Sequence, residues 1–137
     1  MDTHRFNVRE ITKHIQAFYK KKRLFRVCHE GAHSTQAMHN LRVVVDIGDL
    51  NYILDIKVAS RFAMVELNAS IEKLVKEALK HNLMPPVVPA FTRTTVGGAF
   101  ASTTGASSSF KHGFFDRAVT WLKILLPDGN ITRVSRQ

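Results

Sequence analysis

The segment 95–113 reads Thr-Val-Gly-Gly-Ala-Phe-Ala-Ser-Thr-Thr-Gly-Ala-Ser-Ser-Ser-Phe-Lys-His-Gly and holds four of the seven glycines in this 137-residue chain. Small or hydroxylated residues fill most of the rest. A core helix or strand needs apolar periodicity, and there is little here. Small residues let a backbone approach a ligand closely, and their N–H groups can bind anionic oxygens. The segment is therefore expected to be a loop that receives a phosphate-bearing ligand. A flexible Gly/Ser linker is the plain alternative. Val96, Phe100, Phe110, Phe114 and Phe115 weigh against it, because linkers rarely space large apolar residues this way.

The chain is long enough for one ordinary domain, and 45% hydrophobic residues are enough for a core. The formal net charge is +9, and residues 1–26 hold eight Lys or Arg against two Asp or Glu. Lys20-Lys21-Lys22-Arg23 is the one basic run. It could face nucleic acid or an anionic membrane surface. The plainer reading is a solvated helix end, where cations suit the macrodipole. The single cysteine, Cys28, excludes an internal disulfide and suits a reducing compartment. It reads as a buried small apolar residue. No stretch approaches the ~20 apolar residues of a membrane span, and the N-terminus lacks an apolar signal core. A cytoplasmic setting is the default expectation.

Residues 8–20 are predicted to be a helix, with Ile11, Ile15, Phe18 and Tyr19 on one face. Strands are predicted at 24–29 and 42–47, separated by a polar turn over 30–36. Residues 50–54 read as a short helix or turn, and 55–58 with 62–67 as a hairpin. Residues 70–81 form the clearest helix, capped by Ser70, with Ile71, Leu74, Val75, Ala78 and Leu79 as its buried stripe. Pro85-Pro86 forces extended chain into the glycine segment. Residues 117–126 and 131–135 read as strands about the tight turn Pro127-Asp128-Gly129-Asn130. The order is α+β rather than a regular βαβ alternation. Residues 1–23 are expected to be an N-terminal amphipathic helix with its basic run, and 24–137 the main domain.

Neither common nucleotide-binding signature, Gly-x-x-x-x-Gly-Lys-Ser/Thr or Gly-x-Gly-x-x-Gly, occurs. His29 and His33 are four apart without a clear third ligand, so no metal is expected. No Ser/His/Asp set can be assigned from spacing, and catalytic residues stay unknown. An RNA-binding reading has the charge but lacks a stacking signature, so nucleic acid is not an expected partner. Two small-residue turns remain, 30–35 and 95–109. Two such loops can close on one pyrophosphate from opposite sides.

The chain resembles the flavin-binding domain of the vanillyl-alcohol oxidase and p-cresol methylhydroxylase family, most of all a fungal branch similar to delta-24 sterol reductases. The resemblance rests on Thr95-Val96-Gly97-Gly98-Ala99, then Gly105, Ser107-Ser108-Ser109, Lys111, His112-Gly113 and Phe115-Asp116-Arg117, with the turn 127–130 following. It covers almost the whole chain. It departs from the family at Thr92-Arg93-Thr94, where Pro-Gly is usual, and at Glu30-Gly31-Ala32-His33-Ser34-Thr35-Gln36, where two adjacent glycines are usual.

The resemblance implies a two-subdomain α+β fold, a small mixed α/β part and a partial antiparallel sheet, holding FAD. The FAD-contacting residues it implies are Gly31, Ala32, His33, Ser34 and Thr35 on one side. On the other it implies Thr95, Val96, Gly97, Gly98, Ser102, Gly105, Ser108, Ser109, His112 and Gly113. His33 occupies the place of a histidine that binds FAD covalently in some relatives, and non-covalent FAD is expected here. The family's flavin domain runs on past 131–135 and a substrate domain follows, so the chain is expected to be a C-terminally truncated form. The first functional expectation is an FAD-dependent oxidoreductase, delta-24 sterol reductase-like, with a nicotinamide or oxygen as redox partner. A non-catalytic remnant of such a flavoprotein, and a basic module for nucleic acid or membrane surfaces, are the alternatives. Membrane association is a further expectation for a full-length relative.

Overall fold

The computed structural model describes residues 2–28, 44–91 and 93–136. Two compact units emerge, Met1–Leu50 with Thr120–Gln137, and Asn51–Val119.

The first unit is built on α1 (Asp2–Lys20). No glycine or proline interrupts it, so the helix extends six residues before the expected start at Val8. Ile15 is buried with Val45, Ile47 and Leu50, and Val8, Ile11, Phe18, Phe25 and Leu125 pack around them. Tyr19, expected on the apolar face, is 57% exposed. Each four-residue step rotates the stripe by about 40°, so Tyr19 has turned out of it while Phe18 remains. The Phe18 and Phe25 rings stack at 5.5 Å.

A Schellman turn ends α1. The Arg23 N–H donates to the Phe18 carbonyl and the Lys22 N–H to the Tyr19 carbonyl, both at 3.0 Å. Strands β1 (Arg26–Cys28) and β2 (Val44–Asp46) pair in parallel, with Val27 opposite Val45. Cys28 is half-buried rather than buried.

Strands β5 (Trp121–Leu125) and β6 (Ile131–Ser135) form the expected antiparallel hairpin. Asp128 accepts from the Asn130 N–H at 2.9 Å, and Gly129 takes φ 89°, a left-handed conformation that suits glycine.

The second unit opens with β3 (Ile53–Lys57) antiparallel to β4 (Phe62–Val65). Ile53 and Leu54 are strand, not the short helix or turn expected there. The Tyr52 N–H donates to the buried Glu66 carboxylate at 2.7 Å, and the Glu66 N–H to the Tyr52 carbonyl at 2.9 Å, which ties off the hairpin base.

Helix α2 (Ile71–Leu79) starts where Ser70 predicts, its hydroxyl accepting from the Lys73 N–H at 3.1 Å. Ile71, Leu74 and Ala78 are buried and Val75 is half-buried, but Leu79 is 55% exposed. Eight residues on from Ile71 the helix has rotated by about 80°, which carries Leu79 past the edge of the stripe. Three short helices follow: α3 (Val96–Ala101), α4 (Ser109–His112) and α5 (Phe115–Ala118). The last takes residues expected to begin a strand, because Phe115 is drawn into a core with Ile71, Val87 and Ala99. No described helix is long and apolar enough to cross a membrane.

Candidate functional site

The glycine segment forms short helices within the second unit rather than an open loop. Its first turn is held by the chain that precedes α2. The Ile71 N–H donates to the Thr94 carbonyl at 2.8 Å, the Val96 N–H to Ala69 at 2.8 Å, and the Gly97 N–H to Leu67 at 2.7 Å. Thr95 is buried and caps α3, its hydroxyl accepting from the Gly98 N–H at 3.1 Å. The N–H groups of Val96, Gly97 and Gly98 are thus all bonded inside the protein. The expectation that free N–H groups of this turn would bind an anion is corrected by these bonds.

The two adjacent glycines have different surroundings. A Cβ on Gly97 would come within 2.9 Å of the Leu67 carbonyl oxygen and 3.1 Å of the Leu67 Cβ. Gly97 therefore allows α3 to sit against the chain at Leu67. A Cβ on Gly98 would meet only the Thr95 hydroxyl, at 3.0 Å, and is otherwise open. Of the pair, Gly98 leaves room for a ligand.

Past α3 the Ser102 hydroxyl bonds the Gly98 carbonyl at 2.7 Å and lies 2.6 Å from the Thr104 hydroxyl. Gly105 faces the Phe114 ring, which an added Cβ would meet at 3.1 Å. The Ser109 hydroxyl accepts from the Ala106 N–H at 2.9 Å, and the Ser108 hydroxyl donates to the Pro86 carbonyl at 2.8 Å. Gly113 has φ 77°, and any side chain there would strike Arg117. His112 is exposed. The N–H groups of Gly105, Ser107, Ser108 and Phe110 have no partner among the described residues, and they are donors the segment leaves open.

The ten candidates from Thr95 to Gly113 therefore lie on one contiguous part of one unit. Thr95, Val96 and Gly97 serve packing and capping there, and Gly98, Ser102, Gly105 and His112 face outward or are open. Gly31, Ala32, His33, Ser34 and Thr35 lie outside the described residues, as does His29. The charge of the region was not read from the sequence. Residues 78–115 contain no Asp or Glu, while Lys80, Arg93 and Lys111 lie within them. That signal was available as a gap in acidic residues, and it favours an anion. A shallow depression along α2 is lined by Ser70, Glu72, Lys73, Lys76, Glu77 and Lys80. Two of its lysines are already paired, Lys76 with Glu72 and Lys80 with Glu77. In both pairs the lysine hydrogen bond holds the glutamate below the usual carboxylate range.

The family model described as "FAD binding domain" matches residues 7–135. The chain is 30% identical over 93 residues to decaprenylphosphoryl-beta-D-ribose oxidase of Mycolicibacterium smegmatis, covering 68% of this chain and 20% of that protein. It is 29% identical over 92 residues to Delta(24)-sterol reductase of Pisum sativum, covering 67% of this chain and 16% of that protein. The matched region thus spans a fifth or less of these relatives. The α+β architecture is that of the FAD-binding fold of p-cresol methylhydroxylase type. The match reaches from within α1 to the last residue of β6, and on that extent the chain belongs to the FAD binding domain family.

Proposed function

We propose that the protein binds FAD through segment 95–113 and acts as the flavin-holding part of an FAD-dependent oxidoreductase. One observation carries the reading: Gly98 is open beyond its own capping hydroxyl, in a stretch of sequence, 78–115, that holds no Asp or Glu. The residues present fit a flavin dinucleotide in that respect. Gly98, Ser102, Gly105, Ser108, Ser109, His112 and Gly113 would line it, with the N–H groups of Gly105 and Ser107 as anion donors. Gly31, Ala32, His33, Ser34 and Thr35 are proposed as further FAD contacts from the family likeness of their sequence alone. Thr95, Val96 and Gly97 would position that surface from beneath.

Bound FAD supplies the redox chemistry by accepting and releasing an electron pair. The protein contributes a close backbone approach, hydroxyls and the lysines and arginine of an acid-free stretch of chain. Binding is proposed to be non-covalent. The sterol-reductase likeness supports an alkene substrate with a nicotinamide donor. The oxidase likeness supports an alcohol substrate with an acceptor such as oxygen. The single cysteine is in keeping with a reducing, cytoplasmic setting.

The test is the visible absorption spectrum of the purified chain and of Gly98→Val. A branched side chain at Gly98 occupies the open space, so the variant is expected to lose flavin while keeping its far-ultraviolet spectrum. Unchanged flavin content in Gly98→Val would overturn the site assignment.

A further inference from the structure

We propose that the outward face of α1, with the basic turn that ends it, is a docking surface for an anionic lipid membrane. The apolar side of α1 is fully engaged: Val8, Ile11, Ile15 and Phe18 pack on the core of their unit. On the far side Phe6, Arg9, Lys13, Ala17 and Lys20 are all exposed. Steps of three and four residues keep these five within an arc of about 80°, along roughly 20 Å of helix. The stripe runs straight into Lys21, Lys22, Arg23 and Leu24, all exposed.

Its cations outnumber the two acids of the helix, Asp2 at the start of the stripe and Glu10 beside it. Among the described residues only Lys13 has an ion-pair partner, Glu10 at 2.6 Å. Asp128 comes near one edge, where its carbonyl accepts from Gln16 at 3.2 Å. The Asp128 carboxylate is already engaged by Asn130, through its backbone N–H and its side-chain amide. Lys22 sits at φ 48°, a position where glycine is the easiest residue, so a cation stands there against local backbone preference.

The apolar residues select the partner. Phe6 is 64% exposed near the start of the stripe and Leu24 is 92% exposed at its end. A phosphate backbone would use the cations and leave both in water. A lipid surface takes both kinds of group: cations at the anionic headgroups, Phe6 and Leu24 at the acyl boundary. This inference is independent of the flavin reading, because it uses no residue of the proposed flavin site.

The experiment is co-sedimentation of the whole chain with phosphatidylcholine vesicles, with and without about one third phosphatidylserine. Binding is expected only with phosphatidylserine, and is expected to vanish as salt shortens the screening length. Each cation near the surface contributes about five-fold in affinity, so Lys21→Gln/Lys22→Gln/Arg23→Gln is expected to bind ~100-fold more weakly. Phe6→Ser/Leu24→Ser is expected to weaken binding to the same vesicles. All changed side chains are exposed, and an unchanged melting curve checks that the variants fold. Equal binding to neutral and anionic vesicles would overturn the proposal. So would absent vesicle binding with salt-sensitive binding to an RNA oligonucleotide, which would assign the surface to nucleic acid.

Discussion

Replacing each of the adjacent glycines by alanine separates packing from ligand access. At Gly97 the new Cβ would lie 2.9 Å from the Leu67 carbonyl oxygen, and 3.1 and 3.3 Å from the Leu67 Cβ and Cδ1. The obstacle includes backbone, so the helix or the 67–69 chain must move. The same carbonyl accepts the Gly97 N–H at 2.7 Å, so that movement also disturbs a hydrogen bond. Overpacking of this kind costs about 1–3 kcal/mol. Removing a helical glycine returns about 1 kcal/mol. The net expectation for Gly97→Ala is a loss of about 1–2 kcal/mol, once the weakened hydrogen bond is counted.

At Gly98 the new Cβ meets only the Thr95 hydroxyl, which can rotate. A weakened cap, at most about 1 kcal/mol, offsets the helix-propensity gain, so Gly98→Ala is expected to be close to neutral. At this chain length 1 kcal/mol moves the midpoint by about 3–5 °C. Thermal denaturation followed by far-ultraviolet circular dichroism should therefore place Gly97→Ala clearly below Gly98→Ala. Equal midpoints, or the reverse order, would refute the assignment of the two glycines.

Leu74 is 7% exposed, and Leu74→Ala should cost about 2–5 kcal/mol; an unchanged midpoint would mean α2 is not docked by this face. Thr95→Ala removes the α3 cap and should cost about 1 kcal/mol, read from urea midpoints at constant slope. Glu72 and Glu77 titrate lower in the fold because Lys76 and Lys80 bond their charged forms. A depressed folded value means that their stabilisation is present above the ordinary glutamate range and lost as pH falls through the folded value. Glu72→Gln/Glu77→Gln should therefore show a flatter acid limb in stability against pH, and an identical limb would count against these pairs. Acid precipitation of the flavin-loaded protein should leave FAD in the supernatant. Flavin in the pellet would point to covalent attachment and to His33→Ala as the next variant.

Where one periodicity ran uninterrupted, the fold was legible in the sequence. Helix α2 was placed by its Ser70 cap and by Ile71, Leu74 and Ala78, and the β5–β6 hairpin by its Pro-Asp-Gly-Asn turn. The errors lie at the margins of those patterns. Tyr19 and Leu79 belong to the right helices but have rotated off the buried side, which sequence spacing marks only as a gradual drift. Arg117 and Ala118 read as the start of the strand through Trp121 and Leu122, yet they are helical. Phe115 is held by Ile71, Val87 and Ala99, and contacts that distant in sequence outweigh local propensity.

The glycine segment shows the same limit more sharply. Its composition marked a place of close backbone approach but not what approaches. At Gly97 it is the Leu67 carbonyl, at Gly105 the Phe114 ring and at Gly113 the Arg117 side chain, all parts of the protein itself. Six-residue α3 has no apolar stripe long enough to read, and tertiary bonds to residues 67–69 hold it instead. A count of glycines therefore overstates the surface offered to a ligand. Of the four in 95–113, Gly98 is the one whose added Cβ would meet a single hydroxyl and nothing else, so the proposed ligand access through a missing side chain is concentrated there. The glycines around it let short helices pack closely enough to hold that position still, and for this reason flavin retention should respond to Gly98 where stability responds to Gly97.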